Sequence, residues 1–129
     1  MVCVADTHAL VWYLSASARL GKRAAALLER QDSRIVIPTI VLAELKYLHQ
    51  RNRIPISLTV VQTLIKADPR CLIYPLNEEA VNLLPVQLDI HDAIICSTAL
   101  ACQRAMDEKT VVLTKDEAIV KSGLVETAW

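Results

Sequence analysis

Short aliphatic runs alternate with longer segments of helical period along this chain, and that alternation leaves few folds open to it. Five runs read as strands: Val2 to Ala5, Arg34 to Ile37, Cys71 to Tyr74, Thr110 to Leu113 and Leu124 to Thr127. Each is β-branched or aliphatic and bounded by turn or cap residues. Helices fill the intervals. Arg19 to Gln31 turns Leu20, Ala24, Leu27 and Leu28 inward, and Thr39 to Gln50 follows Pro38 with Thr39 as its N-cap. Pro55 lies in a break from Asn52 to Ser57, after which Ser57 caps a helix to Ala67 that Asp68 and Pro69 stop. Asn77 caps another helix with Glu78 and Glu79 in its first turn. The last long helix, His91 to Ala105, is apolar around most of its circumference, as a helix buried against a sheet must be. Such alternation builds a mostly parallel sheet whose carboxyl edge gathers strand-end residues into one crevice.

At 129 residues the chain is expected to form a single domain, 1–129, with one core. Its 14 Lys and Arg balance 14 Asp and Glu, so it lacks the broad basic surface of a protein that holds nucleic acid by charge alone, and any such site must be local. The apolar share, 53% with a mean hydropathy of +0.34, is high for a small domain and points to a buried dimer face, a partner groove or both. Cys3, Cys71, Cys96 and Cys102 sit among aliphatic neighbours without a C-x-x-C pair, which reads as buried thiols and not as a zinc or redox site. No apolar run reaches membrane-spanning length and no signal-peptide pattern precedes Asp6, so a soluble, cytoplasmic protein without a membrane partner is expected.

Four acids stand in unusual surroundings. Helical spacing places Glu44 beside Ile40, Val41, Tyr47 and Leu48, so its carboxylate is expected among hydrophobes and in need of an Arg, a proton or a metal ion. Asp6 follows the first strand, Asp92 opens the last long helix, where Asp89 is also a capping candidate, and Asp116 follows the fourth strand. Taken singly, each Asp also reads as a helix cap. Together they place four carboxylates where a parallel sheet would collect them.

The segments carrying these acids are DTHALVW (6 to 12), PTIVLAEL (38 to 45), HDAIICSTAL (91 to 100) and LTKD (113 to 116). They resemble, in order and spacing over nearly the whole chain, the four acidic motifs of PIN-domain ribonucleases, especially the small VapC-type toxins of toxin–antitoxin pairs. The resemblance implies a three-layer α/β/α domain with a five-stranded parallel sheet in the order 3-2-1-4-5. It also implies that Asp6, Glu44, Asp92 and Asp116 are catalytic and bind one or two divalent metal ions, with Thr7 and Thr114 orienting the carboxylates. A carboxylate set without a His or Cys ligand group suits Mg²⁺, or Mn²⁺, over zinc. The activity implied is metal-dependent hydrolysis of phosphodiester bonds in single-stranded or loop RNA. His8 and His91, beside two of the acids, read as structural residues.

Partners follow from the same likeness. Trp12 and its neighbours from Leu10 to Leu14, with the Leu20 to Leu28 helix, are expected to offer a groove to a cognate antitoxin, and the toxins resembled form homodimers. Lys46, His49, Arg51 and Arg53, and separately Arg19, Lys22 and Arg23, form two short basic regions that read as solvated helix faces or as RNA contacts. Two other readings are open. A PIN-like module that binds RNA or protein without turnover would not need all four acids. A receiver-type phosphoacceptor domain, which Thr114 and Lys115 resemble, would need paired acids after the first strand and an Asp after the third. Here Asp6 stands alone, and the third strand runs into Pro75, Leu76 and Asn77.

Overall fold

The computed structural model describes residues 1–129. In chain order the elements are β1 (Val2–Ala5), α1 (Thr7–Leu14), α2 (Lys22–Glu29), β2 (Arg34–Pro38), α3 (Thr39–Gln50), α4 (Leu58–Ala67), β3 (Cys71–Tyr74), α5 (Glu78–Asn82), α6 (Ile90–Met106), β4 (Thr110–Leu113), α7 (Glu117–Ser122) and β5 (Glu126–Ala128). The five strands form one sheet in the order β3-β2-β1-β4-β5, with every neighbouring pair parallel. Helices pack over both faces, giving the three-layer α/β/α fold expected from the resemblance. All four residues of β1 and of β4 are buried, because a central parallel strand is covered on both sides and so reads as an unbroken apolar run. The α6 helix buries nine residues, which explains its wide apolar circumference.

Chain order reverses direction between β1 and β4. Val4 pairs with Val112 and Ala5 with Leu113, so both strands end at the same level. The Asp6 amide then donates to the Leu113 carbonyl at 3.2 Å, and Asp6 and Thr114 emerge side by side at this topological switch. Of the expected caps, Ser57 and Asn77 accept from the amides of Val60 and Ala80. Thr39 does not cap α3. Pro38 holds the cap position, Thr39 is the first helical residue, and its hydroxyl accepts instead from the Leu76 amide at 3.3 Å, tying the end of β2 to the loop after β3. Asp89 precedes α6 without a side-chain capping bond.

Two elements differ most in their bounds from the sequence reading. The last strand starts at Glu126 and not at Leu124, because Gly123 leaves α7 at φ 64° and the next two residues are spent in turning back toward β4. The second helix is shorter than Arg19 to Gln31, starting after Gly21 and ending at Glu29. At its start, a Cβ on Gly21 would collide with the backbone and ring of Trp129, which itself packs edge-on against Trp12 at 5.5 Å. Gly21→Ala is therefore expected to unseat Trp129 at a cost of about 1–3 kcal/mol. A red shift of tryptophan emission together with a lowered melting temperature would register it; unchanged emission would show that the contact is not needed.

At its end, α2 is held by Arg70. This guanidinium donates to both Asp68 carboxylate oxygens, at 3.1 and 2.8 Å, to the carbonyls of Leu28 and Arg30, at 2.8 and 2.7 Å, and to the Tyr13 hydroxyl at 3.4 Å. The side chain is only 16% exposed, and it joins α1, α2 and the start of β3. Its pairing lowers the Asp68 carboxyl below its ordinary range, chiefly through the Arg70 hydrogen bonds. Asp68 therefore adds stability above the ordinary carboxyl pKa, and the contribution is lost as pH falls through the depressed value. Arg70→Ala leaves two carbonyls and a carboxylate without their donor, and a loss of about 2–4 kcal/mol in urea unfolding is expected. A change below about 0.5 kcal/mol, ordinary for surface substitutions, would rule out this role.

Candidate metal centre

Asp6, the residue after β1, caps α1: its Oδ1 accepts from the Ala9 amide at 2.8 Å. Asp116, two residues past Thr114, caps α7 by accepting from the amides of Ala118 and Ile119 at 2.9 and 3.2 Å. Asp92 stands in the first turn of α6, where the aligned peptide dipoles favour a negative charge. Glu44 comes from the middle of α3. The capping alternative and the site reading are thus compatible for Asp6 and Asp116, since each commits one oxygen to its helix and keeps the other. All four acids line one cavity of about 130 Å³, shared with Thr7, His8, His91, Ile95 and Ile119.

Glu44 is less deeply placed than its sequence neighbours implied. Val41 is buried, but Tyr47 is exposed, and Glu44 lies half-buried at the edge of the core. Its Oε2 pairs with His91 Nε2 and accepts from the Thr7 hydroxyl at 3.0 Å. The partner the structure supplies is His91, which compensates the carboxylate when its ring is protonated. The hydrogen bond to His91 draws the Glu44 carboxyl below its ordinary range, and the same bond raises the His91 imidazolium above its own. The sequence reading left His91 out. The signal was a histidine next to Asp92 in the first turn of a helix that must approach α3.

Asp6 and Asp92 shift the opposite way. Burial pushes the Asp6 carboxyl up, against the Thr114 hydroxyl and Ala9 amide that favour its ionised form. Burial, followed by the charge of Asp116, pushes up Asp92. Thr114 is buried and its hydroxyl accepts from the Asp116 backbone amide at 3.0 Å, so it fixes the backbone of the fourth acid, whereas Thr7 donates to the Glu44 carboxylate itself. Raised carboxyls crowded at a strand edge mark a place where added positive charge is favourable.

No three His, Cys, Asp or Glu side chains converge tightly enough to hold an ion by themselves. The donor set therefore does not make a closed cage. It suits an ion such as Mg²⁺ that keeps much of its water and takes one or two carboxylates directly. All four cysteines are free, with Cys3, Cys96 and Cys102 buried and Cys71 half-buried, so none offers a thiolate here.

Beside the pocket, the His8 ring packs tilted against Trp12 with centroids 5.2 Å apart, and Lys115 Nζ lies 4.9 Å from the Trp12 ring and 5.6 Å from that of Trp129. On its other side Trp12 meets Tyr13, Ala16, Ser17, Leu20, Ala25 and Glu29 around a largely apolar cavity of about 280 Å³. Trp12 is thus tied into the fold as well as bordering the groove anticipated there. No helix is long and apolar enough to cross a membrane.

Several solved structures share this fold, three of them from toxin–antitoxin complexes. VapBC2 from Rickettsia felis, bound to a DNA fragment from its promoter, matches with a TM-score of 0.67 at 18% identity over 99% of this chain and 98% of that one. A toxin–antitoxin complex from Klebsiella pneumoniae gives 0.65 at 17% identity over 98% and 96%, and VapBC-1 from nontypeable Haemophilus influenzae gives 0.63 at 16% over 99% and 97%. No curated protein matches the sequence significantly. The PIN-domain family model matches residues 3–122, a span that holds every acid of the pocket, and the chain belongs to the PIN-domain family.

Proposed function

We propose that this protein is a metal-dependent endoribonuclease that hydrolyses single-stranded or loop RNA and acts as the toxin of a toxin–antitoxin pair. The observation that carries this reading is the meeting of Asp6, Glu44, Asp92 and Asp116, from four separate segments of a PIN domain, on one cavity at the sheet's topological switch. These carboxylates are the proposed ligands and catalytic residues, with Mg²⁺ or Mn²⁺ as the cofactor. A bound ion of this kind supplies an activated water nucleophile at neutral pH and offsets the charge of the phosphate.

The chain's own residues do the positioning. Thr7 fixes one oxygen of Glu44, while Thr114 and the α7 amides fix Asp116. The Ala9 amide and the Thr114 hydroxyl together fix Asp6 at the cavity. His91 holds Glu44 in place by a hydrogen bond and lines the same cavity, where in its protonated form it would also attract a phosphate oxygen. Ile95 and Ile119 wall the cavity with apolar surface, which strengthens every charge interaction inside it.

Incubation of a mixed pool of structured RNAs with partner-free protein tests the reading. Discrete cuts in Mg²⁺ or Mn²⁺, none in EDTA, and products free of 2′,3′-cyclic phosphate are expected, since water and not the ribose 2′-hydroxyl is the proposed nucleophile. Cuts that persist in EDTA, or cyclic ends, would refute it. Stable RNA binding without any cleavage would favour the non-catalytic module.

Likeness to the toxin–antitoxin complexes supports an antitoxin as partner, and the apolar cavity beside Trp12 and Leu20 is the proposed groove for it. A homodimer is proposed as well. Its support is the exposed apolar surface of Val60 and Leu64 on α4 and Leu72 on the neighbouring edge strand β3.

A further inference from the structure

The acidic cavity accounts for Glu44 but not for the remainder of the helix that carries it. Between Glu44 and Asp68 the chain holds Lys46, His49, Arg51, Arg53 and Lys66, and no Asp or Glu. None of these side chains lies within ion-pair distance of a carboxylate. In a protein of zero net charge the α3–α4 hairpin is therefore a local positive body next to a cavity of four acids.

The cations have an ordered arrangement. Glu44, Tyr47 and Arg51 follow the spacing that puts residues on one stripe of a helix. The Arg51 guanidinium lies 4.8 Å above the Tyr47 ring, and Tyr47 is 61% exposed, so a large aromatic is held in water by an arginine when it has ample apolar core to join. One residue further on, Asn52 takes a left-handed turn at φ 55°. This brings Arg53 and His49 to the rim of an open cavity of about 450 Å³. Arg51 is displaced along the axis from Glu44 by seven helical rises, about 10 Å. A nucleic-acid strand with one phosphate at the acidic cavity reaches it without a detour.

We infer that this stripe of α3, Tyr47 and Arg51 continued into Arg53, is the track that seats a single-stranded RNA on its way into the acidic cavity. The inference rests on the nuclease reading for its substrate class. Exposed aromatic faces take unpaired bases, whose own faces a duplex would hide, and guanidinium groups pair with phosphate oxygens two at a time. The track also resolves a charge problem, because the four carboxylates repel RNA and cations beside them must hold the strand. The aromatic supplies a contact that salt does not screen, and the arginines one that it does.

The test is fluorescence anisotropy of a labelled oligoadenylate RNA in magnesium buffer, with every protein carrying Asp92→Asn so that the RNA remains intact. Cleavage of the same RNA by the protein with Asp92 is followed separately. Tyr47→Ala is expected to weaken binding about tenfold, within the range for loss of one stacked base, with an unchanged salt slope, and Tyr47→Phe to bind like the parent. Arg51→Ala with Arg53→Ala is expected to lower the slope of log affinity against log salt by about 1.4, the value for two phosphate contacts on a single strand. Arg104→Ala, which removes an unpaired charge elsewhere on the surface, controls for net charge. Binding unchanged in all these variants would overturn the track and leave the nuclease reading intact if cleavage occurs. Variants that lose RNA binding while the Asp92 protein cuts nothing would sustain the track and sink the nuclease. A parent that binds no oligoadenylate would overturn the track, as would variants that keep RNA but lose an oligoglutamate peptide, the mark of a protein-docking face.

Discussion

Asp92→Asn is expected to lower RNA cleavage by about a thousandfold or more while the folded protein becomes no less stable. The loss corresponds to the roughly 4 kcal/mol of charge stabilisation that a bound ion supplies in such reactions. The stability half of the expectation follows from the raised Asp92 carboxyl, whose causes are burial and then the charge of Asp116. A group raised in the folded state stabilises it below its ordinary pKa, and that contribution is lost as pH rises through the raised value. Above that raised value the ionised carboxylate works against the fold, and the neutral amide of Asn removes that cost. Cleavage assays and thermal melts on the same preparations check both halves. A variant that loses activity only because it melts earlier would place Asp92 among the structural residues.

The second large effect is on the protein without RNA. Asp6 and Asp92 are both pushed up by burial, and Asp116 adds its charge to the crowding at Asp92. An ion that binds only the folded chain stabilises it by mass action, about 2.7 kcal/mol at a hundredfold excess over its dissociation constant. Magnesium should thus raise the melting temperature of the wild type and have a much smaller effect on Asp92→Asn or Asp6→Asn. Asp6→Asn retains an oxygen to accept from Ala9, so the cap on α1 survives the exchange. Equal magnesium responses in all three proteins would mean that the ion acts on the surface at large.

Much of the fold was legible because β1 and β4 lie at the centre of a parallel sheet. Their residues had no exposed face to fill, so Val2 to Ala5 and Thr110 to Leu113 stood out as unbroken apolar runs with sharp ends. The edges were harder. The start of β5 depends on how Gly123 turns the chain, and the start of α2 on Trp129 lying against Gly21, two matters of tertiary packing that local pattern does not record. Thr39 shows the same limit at a cap, since its hydroxyl serves a distant amide in place of its own helix.

The acids were legible from their positions, and Thr7 and Thr114 from standing next to them. The state of Glu44 was not. Helical spacing located its apolar neighbours, but the outward face of Tyr47 and the approach of His91 are set by how α3 meets α6. A stranded carboxylate implies a cation, and pattern alone does not say which one. Of the Arg, proton or metal ion expected at Glu44, none is the protein partner found, which is a histidine from another helix, whereas Arg70, which drew no notice in the sequence, bonds α1, α2 and the start of β3 together.

The most direct measurement is an anomalous difference map from a crystal of the protein soaked in Mn²⁺. A peak within the cavity bounded by Asp6, Glu44, Asp92 and Asp116, lost in an Asp92→Asn crystal, is the expected result, with the His91 ring turned away from Glu44 where the ion takes that carboxylate. Density for manganese only elsewhere on the protein, under conditions in which the soluble protein cuts RNA, would contradict the account at its centre.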